Sequence, residues 1–128
     1  MLDKNAGLEP SRPKRVLVVE DEPDALETLQ LWAQTQGWEV RAVQSGSAAL
    51  EVNESFRPDV VITDYLLKDD VSGVDVIVQL RKNGHKLRCV LVTGMLEAAL
   101  LEGVCRLHGV PILVKPFHFE RLAKLIAR

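Results

Sequence analysis

The chain has 128 residues, 47% of them hydrophobic, which is the ordinary size of one domain and enough to bury a core without disulfide or metal staples. Its 16 basic and 18 acidic residues leave a formal charge of −2, so no broad positive field exists to hold nucleic acid or a membrane surface, and any charge-driven site must be local. Cys89 and Cys105 lack a paired spacing and read as reduced, buried thiols; no stretch reaches the roughly 18 apolar residues of a membrane span, and the expected compartment is the cytoplasm.

Residues 1–13 carry two prolines and a glycine among charges without period, and are expected to form a flexible leader or linker ahead of a folded domain covering 14–128. From Lys14 onward, short β-branched runs alternate with helical patterns, the signature of βα units around a parallel sheet. The first strand is RVLVVE, Arg15 to Glu20, whose unbroken apolar run suits burial on both faces. A helix follows from Pro23 to Gln36, with proline in its first turn and Gly37 as its stop. WEVRAVQ is the second strand, and Ser45 is placed to cap the helix GSAALEVNESF. The third strand starts after Pro58 and runs to Asp64; Ser72 and Gly73 lead into the helix VDVIVQLRKN, which Gly84 ends. RCVLVTG, then the helix LEAALLEGVCRLH closed by Gly109, then PILVKP and HFERLAKLIAR complete five units. The apolar face of the fourth helix, with Leu96, Leu100, Leu101 and Val104, is expected to be mostly core, its surplus leucines feeding a partner or dimer surface. His85, His108 and His118 fall near helix ends and loops and read as solvated or capping residues.

In an open parallel sheet the ligand site lies beyond the carboxyl ends of the strands, where the strand order reverses. Strand one ends in Glu20-Asp21-Glu22, strand three in Asp64, strand four in Thr93-Gly94 and strand five in Lys115-Pro116. With a flavodoxin-like α/β fold and strand order 2-1-3-4-5, these four strands are neighbours and their terminal groups converge, while strand two ends outside the group in Gln44-Ser45. The acids after strand one could serve only the dipole of the next helix, but Asp64 follows VVIT, is expected to be nearly buried, and needs a partner. Gathered carboxylates call for a hard divalent cation. Mg²⁺ fits, because one or two carboxylates and several waters satisfy it and leave a position for a phosphate oxygen. An aspartate beside such an ion can attack a phosphoryl group to form an acyl phosphate, with the cation, Lys115 and the Thr93 hydroxyl each taking one equatorial oxygen.

The segments VLVVEDEP, PDVVITDYLL, VLVTG and VKPF resemble, in order and spacing, the signature segments of CheY-like response-regulator receiver domains, and the likeness covers residues 14–128. That resemblance implies a single (βα)5 domain with a five-stranded sheet. It also implies a signalling switch that catalyses only its own phosphorylation and dephosphorylation. Glu20 and Asp21 would be the acidic metal pair, Asp64 the phosphoacceptor, Leu66 the donor of a backbone carbonyl to the metal, and Thr93 and Lys115 the phosphate-sensing hydroxyl and amine. The cofactor would be Mg²⁺, with Mn²⁺ able to substitute. The partner would be a sensor histidine kinase or a histidine phosphotransfer domain, with homodimerisation through the face from the fourth to the fifth helix. A cis peptide is expected at Lys115-Pro116.

Four positions depart from the family pattern. Glu20 stands where aspartate is commoner and reaches further; the loop YLLKDDVSG lacks the usual proline, runs one residue longer, and looks most like receivers of hybrid sensor kinases. Ile112 occupies the place of the switching aromatic, and Gly94 replaces alanine after the threonine. Other classes are weighed against the same residues. A pseudo-receiver that only binds partners would not need Asp21, Asp64, Thr93 and Lys115 together; a haloacid-dehalogenase phosphatase wants an acid where Leu66 stands; a flavin phosphate would be repelled by Glu20-Asp21-Glu22; and no GxxxxGK[ST] loop is present.

Overall fold

The computed structural model describes residues 12–82 and 87–127. The greater part of the expected leader, the stop at Gly84 and His85 lie outside the described residues. Ten elements alternate in chain order. They are β1 (Arg15–Val19), α1 (Pro23–Thr35), β2 (Glu39–Val43), α2 (Gly46–Phe56), β3 (Val60–Asp64), α3 (Gly73–Arg81), β4 (Arg88–Thr93), α4 (Met95–Leu107), β5 (Ile112–Val114) and α5 (Phe119–Ala127).

The strands pair in parallel in the order β2-β1-β3-β4-β5, so the expected architecture is the observed one. Because side chains alternate across a strand, each central strand feeds two cores. Leu17, Val19, Val61, Cys89 and Leu91 face α2, α3 and α4, meeting Phe56, Val76, Leu80 and Cys105. Val16, Val18, Ile62, Val90 and Val92 face α1 and α5, meeting Leu26, Leu29, Leu122 and Ile126. This two-sided burial is why β1, β3 and β4 read as unbroken apolar runs.

Local chemistry sets the helix ends. Pro23 opens α1, the Ser45 hydroxyl accepts from the Ala48 N–H at 3.0 Å to cap α2, and Ser72 and Asp75 form a reciprocal capping box on α3. Gly37 and Gly109, at φ 83° and 64°, supply the left-handed turns that end α1 and α4. Trp32 of α1 stacks on Phe119 at 4.7 Å between ring centroids and meets Trp38 edge-on at 5.5 Å, which ties α1 to β2 and to the start of α5. The Lys115-Pro116 peptide is cis, as expected.

One expectation is corrected. In α4 only Cys105 is fully buried, and the inward stripe is Ala98, Leu101 and Cys105; Leu96 and Leu100 are 79% and 84% exposed, with Val104 exposed beside them. The helix packs at the sheet edge against β5, a strand of three residues, which offers too little surface to cover a wider stripe. Among the described residues no helix is long and apolar enough to cross a membrane.

Candidate functional site at the carboxyl edge of the sheet

Parallel pairing in register brings the strand ends to one edge. Val19 pairs with Thr63, Asp64 with Val92, and Thr93 with Val114, so Glu20, Asp64, Thr93 and Lys115 terminate four adjacent strands. The Lys115 N–H donates to the Thr93 carbonyl at 2.8 Å and continues the ladder one residue past β5. The Glu20 N–H likewise donates to the Val43 carbonyl at 3.1 Å, which fixes where the acidic run leaves β1.

The Asp64 side chain is only 11% exposed, and the partner it needs is Lys115, whose Nζ donates to Asp64 Oδ2 at 2.7 Å. The same ammonium donates to Glu20 Oε1 at 3.1 Å, while Glu20 Oε2 accepts the Glu22 N–H at 3.2 Å. Glu20 is thus a buried carboxylate held at both oxygens, and its extra methylene lets it reach across to Lys115. Burial pulls the Lys115 pKa down, but the hydrogen bond and charge of Asp64, followed by those of Glu20, outweigh it and leave the amine above its ordinary value. Carboxylate oxygens of Glu20, Asp21 and Asp64 lie within 4.8 Å of one another, and the one ammonium in contact with the group, Lys115, bonds only two of the three, Glu20 and Asp64. That excess of hard oxygen donors in a small space is the donor set an octahedral, partly hydrated divalent cation takes.

The Thr93 hydroxyl is fully buried and has no hydrogen-bond partner among the described residues. A buried hydroxyl of this kind normally finds an acceptor, so its position at the strand end leaves a donor free for a bound oxygen. Leu66 and Met95 stand beside the site in the loop after β3 and at the start of α4, 58% and 76% exposed. Ile112 packs against the core under α2, α3 and α4. A cleft of about 670 Å³ opens between α1 and the loop after β5, with Asp24, Thr28, Phe117 and Phe119 in its walls and Asp64 and Lys115 at its end.

Two contacts of the β3–α3 connection escaped the sequence reading. Gly73, seen there only as the lead into a helix, lies against the end of β3 itself: a Cβ at Gly73 would collide with the Asp64 carbonyl oxygen. Asp69, in the loop after β3, reaches the start of α2, accepting the Ser47 N–H at 3.0 Å and the Ser47 hydroxyl at 2.9 Å. The S-G pair could have flagged the first; nothing in the run KDD points to the second. The cysteines are free and buried, as the sequence suggested, and burial pushes the Cys89 thiol up to about 11 against the opposing pull of Arg81.

The family model for the response regulator receiver domain matches residues 16–127. The chain belongs to that family. The receiver is 34% identical over 123 residues to the probable transcriptional regulatory protein TcrX of Mycobacterium tuberculosis, an alignment covering 91% of this chain and 51% of TcrX. It is 31% identical over 114 residues to the probable C4-dicarboxylate response regulator DctR of Priestia megaterium, covering 87% of this chain and 49% of DctR. The receiver thus spans about half the length of these curated relatives. Among solved structures it resembles the response regulator TrrA of Thermotoga maritima in complex with Mg²⁺ and BeF (29% identity, TM-score 0.76, covering 89% of this chain and 96% of that one). It also resembles a CheY-like receiver domain from Methylobacillus flagellatus (28% identity, TM-score 0.77, covering 91% and 98%).

Proposed function

We propose that the chain is the phosphoacceptor receiver of a two-component phosphorelay, taking a phosphoryl group from a phosphohistidine onto Asp64, with the receiver unit at 14–128. One observation carries this reading: a nearly buried aspartate, an ammonium in contact with it, two further acids and an unpartnered buried hydroxyl converge at one sheet edge.

Glu20, Asp21 and Asp64, with the Leu66 backbone carbonyl, would hold Mg²⁺, or Mn²⁺ in its place. The bound cation would neutralise charge on the phosphoryl oxygens. In the transfer, Asp64 Oδ forms a bond to phosphorus as the bond from phosphorus to the donor imidazole nitrogen breaks, and that nitrogen leaves with the electron pair. Lys115 gives up its 2.7 Å contact with Asp64 and pairs with a phosphoryl oxygen while Glu20 keeps hold of it. The Thr93 hydroxyl donates to a second oxygen and gains the partner it lacks at rest. Resting-state contacts are thereby exchanged for phosphoryl contacts, which is the switch.

The donor, a sensor histidine kinase or a histidine phosphotransfer domain, would approach through the cleft beside α1, where Glu22, Asp24 and His118 are exposed. The exposed leucines of α4 would supply a homodimer contact on the face from α4 to α5. The test is phosphorylation by a phosphohistidine donor or a small acyl phosphate, read by intact mass. Labelling is expected only with Mg²⁺ or Mn²⁺ and is lost in Asp64→Asn; an Asp64→Asn variant that labels like the wild type would overturn the assignment.

A further inference from the structure

The loop joining β3 to α3, residues 65–72, is fastened at each end. The Tyr65 N–H donates to the Val92 carbonyl at 3.0 Å, and the Gly73 N–H donates back to the Tyr65 carbonyl at 2.9 Å. Between these points the chain has one long-range polar anchor among the described residues, Asp69. Its carboxylate accepts the Ser47 N–H at 3.0 Å, the Ser47 hydroxyl at 2.9 Å and the Gly46 N–H at 3.4 Å, all in the first turn of α2. Beside these bonds the two segments touch: a Cβ at Gly46 would lie 2.7 Å from Val71 Cβ, so only glycine lets the helix start against the loop.

Helix α2 already has its own cap, because Ser45 accepts the Ala48 N–H. Asp69 is therefore a second cap brought from another element, and its larger effect falls on the loop that donates it. The Ser47 N–H, against the opposing effect of burial and aided by the Ser47 hydroxyl and the amides of Gly46 and Val71, holds the Asp69 carboxyl below its ordinary pKa, so the tie is a charged one at neutral pH. Leu66 lies three residues upstream with its own side chain exposed; Tyr65 and Leu67 on either side of it pack against the core, and Asp69 adds the polar tie on the far side of Leu67.

We propose that Asp69 is a positioning residue for the metal site: by tying the loop to α2 it holds the backbone at Leu66 in the conformation that presents its carbonyl to the cation. The inference rests on the metal reading above. An eight-residue connection without regular structure has conformations to lose on ordering, and an anchor within it reduces that cost at the moment the ion binds.

The test is Mg²⁺ affinity of the whole chain, by calorimetric titration, alongside urea stability. Asp69→Ala is expected to weaken Mg²⁺ binding about tenfold, the low end of losses seen when groups that orient metal ligands are removed. Asp69→Asn keeps an acceptor oxygen without the charge and falls between. Ser45→Ala loosens the same helix end without touching the loop, so it lowers stability and leaves Mg²⁺ affinity at the wild-type value. Wild-type affinity in Asp69→Ala, or an equal loss in Ser45→Ala, overturns the positioning role. If wild type and Asp21→Ala bind Mg²⁺ alike, the metal site itself is wrong and the role of Asp69 falls with it.

Discussion

Asp64 can sit almost out of water because Lys115 reaches it, and Lys115 can reach it because Glu20 steadies the ammonium from the other side. Below this triad the backbone is as tightly specified as the side chains. Gly73 packs on the Asp64 carbonyl with no room for a methyl, and the obstacle is backbone rather than a flexible side chain tip. Gly73→Ala must displace Asp64, the proposed phosphoacceptor, and is expected to cost at least about 1–3 kcal/mol, as overpacking does. Gly103, inside α4 with nothing within 4 Å of its Cβ position, gives the opposite sign: Gly103→Ala stabilises by roughly 0.5–1 kcal/mol. Urea denaturation of the two variants checks this, and equal midpoints would mean that the loop yields freely at Gly73. The acids, the hydroxyl and the lysine were legible because each ends an apolar run, a position visible in sequence. What Gly73 and Asp69 touch was not, since their partners lie 9 to 23 residues away on other elements and no local pattern encodes them.

Helix α4 carries two adjacent apolar stripes. Leu96, Leu100, Val104 and Leu107 form one, Ala98, Leu101 and Cys105 the other, and helical spacing alone does not say which faces inward. The shortness of β5 decides it, a tertiary fact. Helix α5 shows the contrasting case, where Leu122 and Ile126 are wholly buried over β4 and the outer face is charged. Leu122→Ala is expected to destabilise by about 2–5 kcal/mol. Leu100→Glu should stay within about 0.5 kcal/mol of wild type and, if the proposed homodimer forms through this face, reduce self-association. Denaturation midpoints and light scattering separate the two effects; a large stability loss in Leu100→Glu would restore the buried face that the periodicity suggested.

At the scale of the whole molecule, the topology was readable because five βα units leave few right-handed arrangements, and because the groups worth bringing together end strands one, three, four and five. Only the folded sheet gathers Glu20, Asp21 and Asp64, which lie more than 40 residues apart along the chain from first to last. Without a bound ion, the one cationic side chain among the described contacts that offsets their mutual repulsion is Lys115, with the Glu22 N–H on Glu20 beside it. A divalent ion that binds this cluster therefore binds the native state and not the unfolded chain, and must raise stability by RT ln(1 + [Mg²⁺]/Kd), about 2.7 kcal/mol at a hundredfold excess over Kd. The melting temperature is expected to climb with the logarithm of Mg²⁺ concentration at constant ionic strength. Asp21→Ala should flatten that climb, because Asp21 has no other partner among the described residues; Glu20→Gln should reduce it less, since Glu20 is already engaged with Lys115. Sodium chloride at matched ionic strength controls for simple screening, which would relieve the repulsion without a bound ion. A wild-type melt that responds to Mg²⁺ no more than to sodium would remove the cation from the proposed mechanism, and would leave Lys115 and Thr93, among the described residues, to meet the charge of the proposed phosphoryl transfer at this edge.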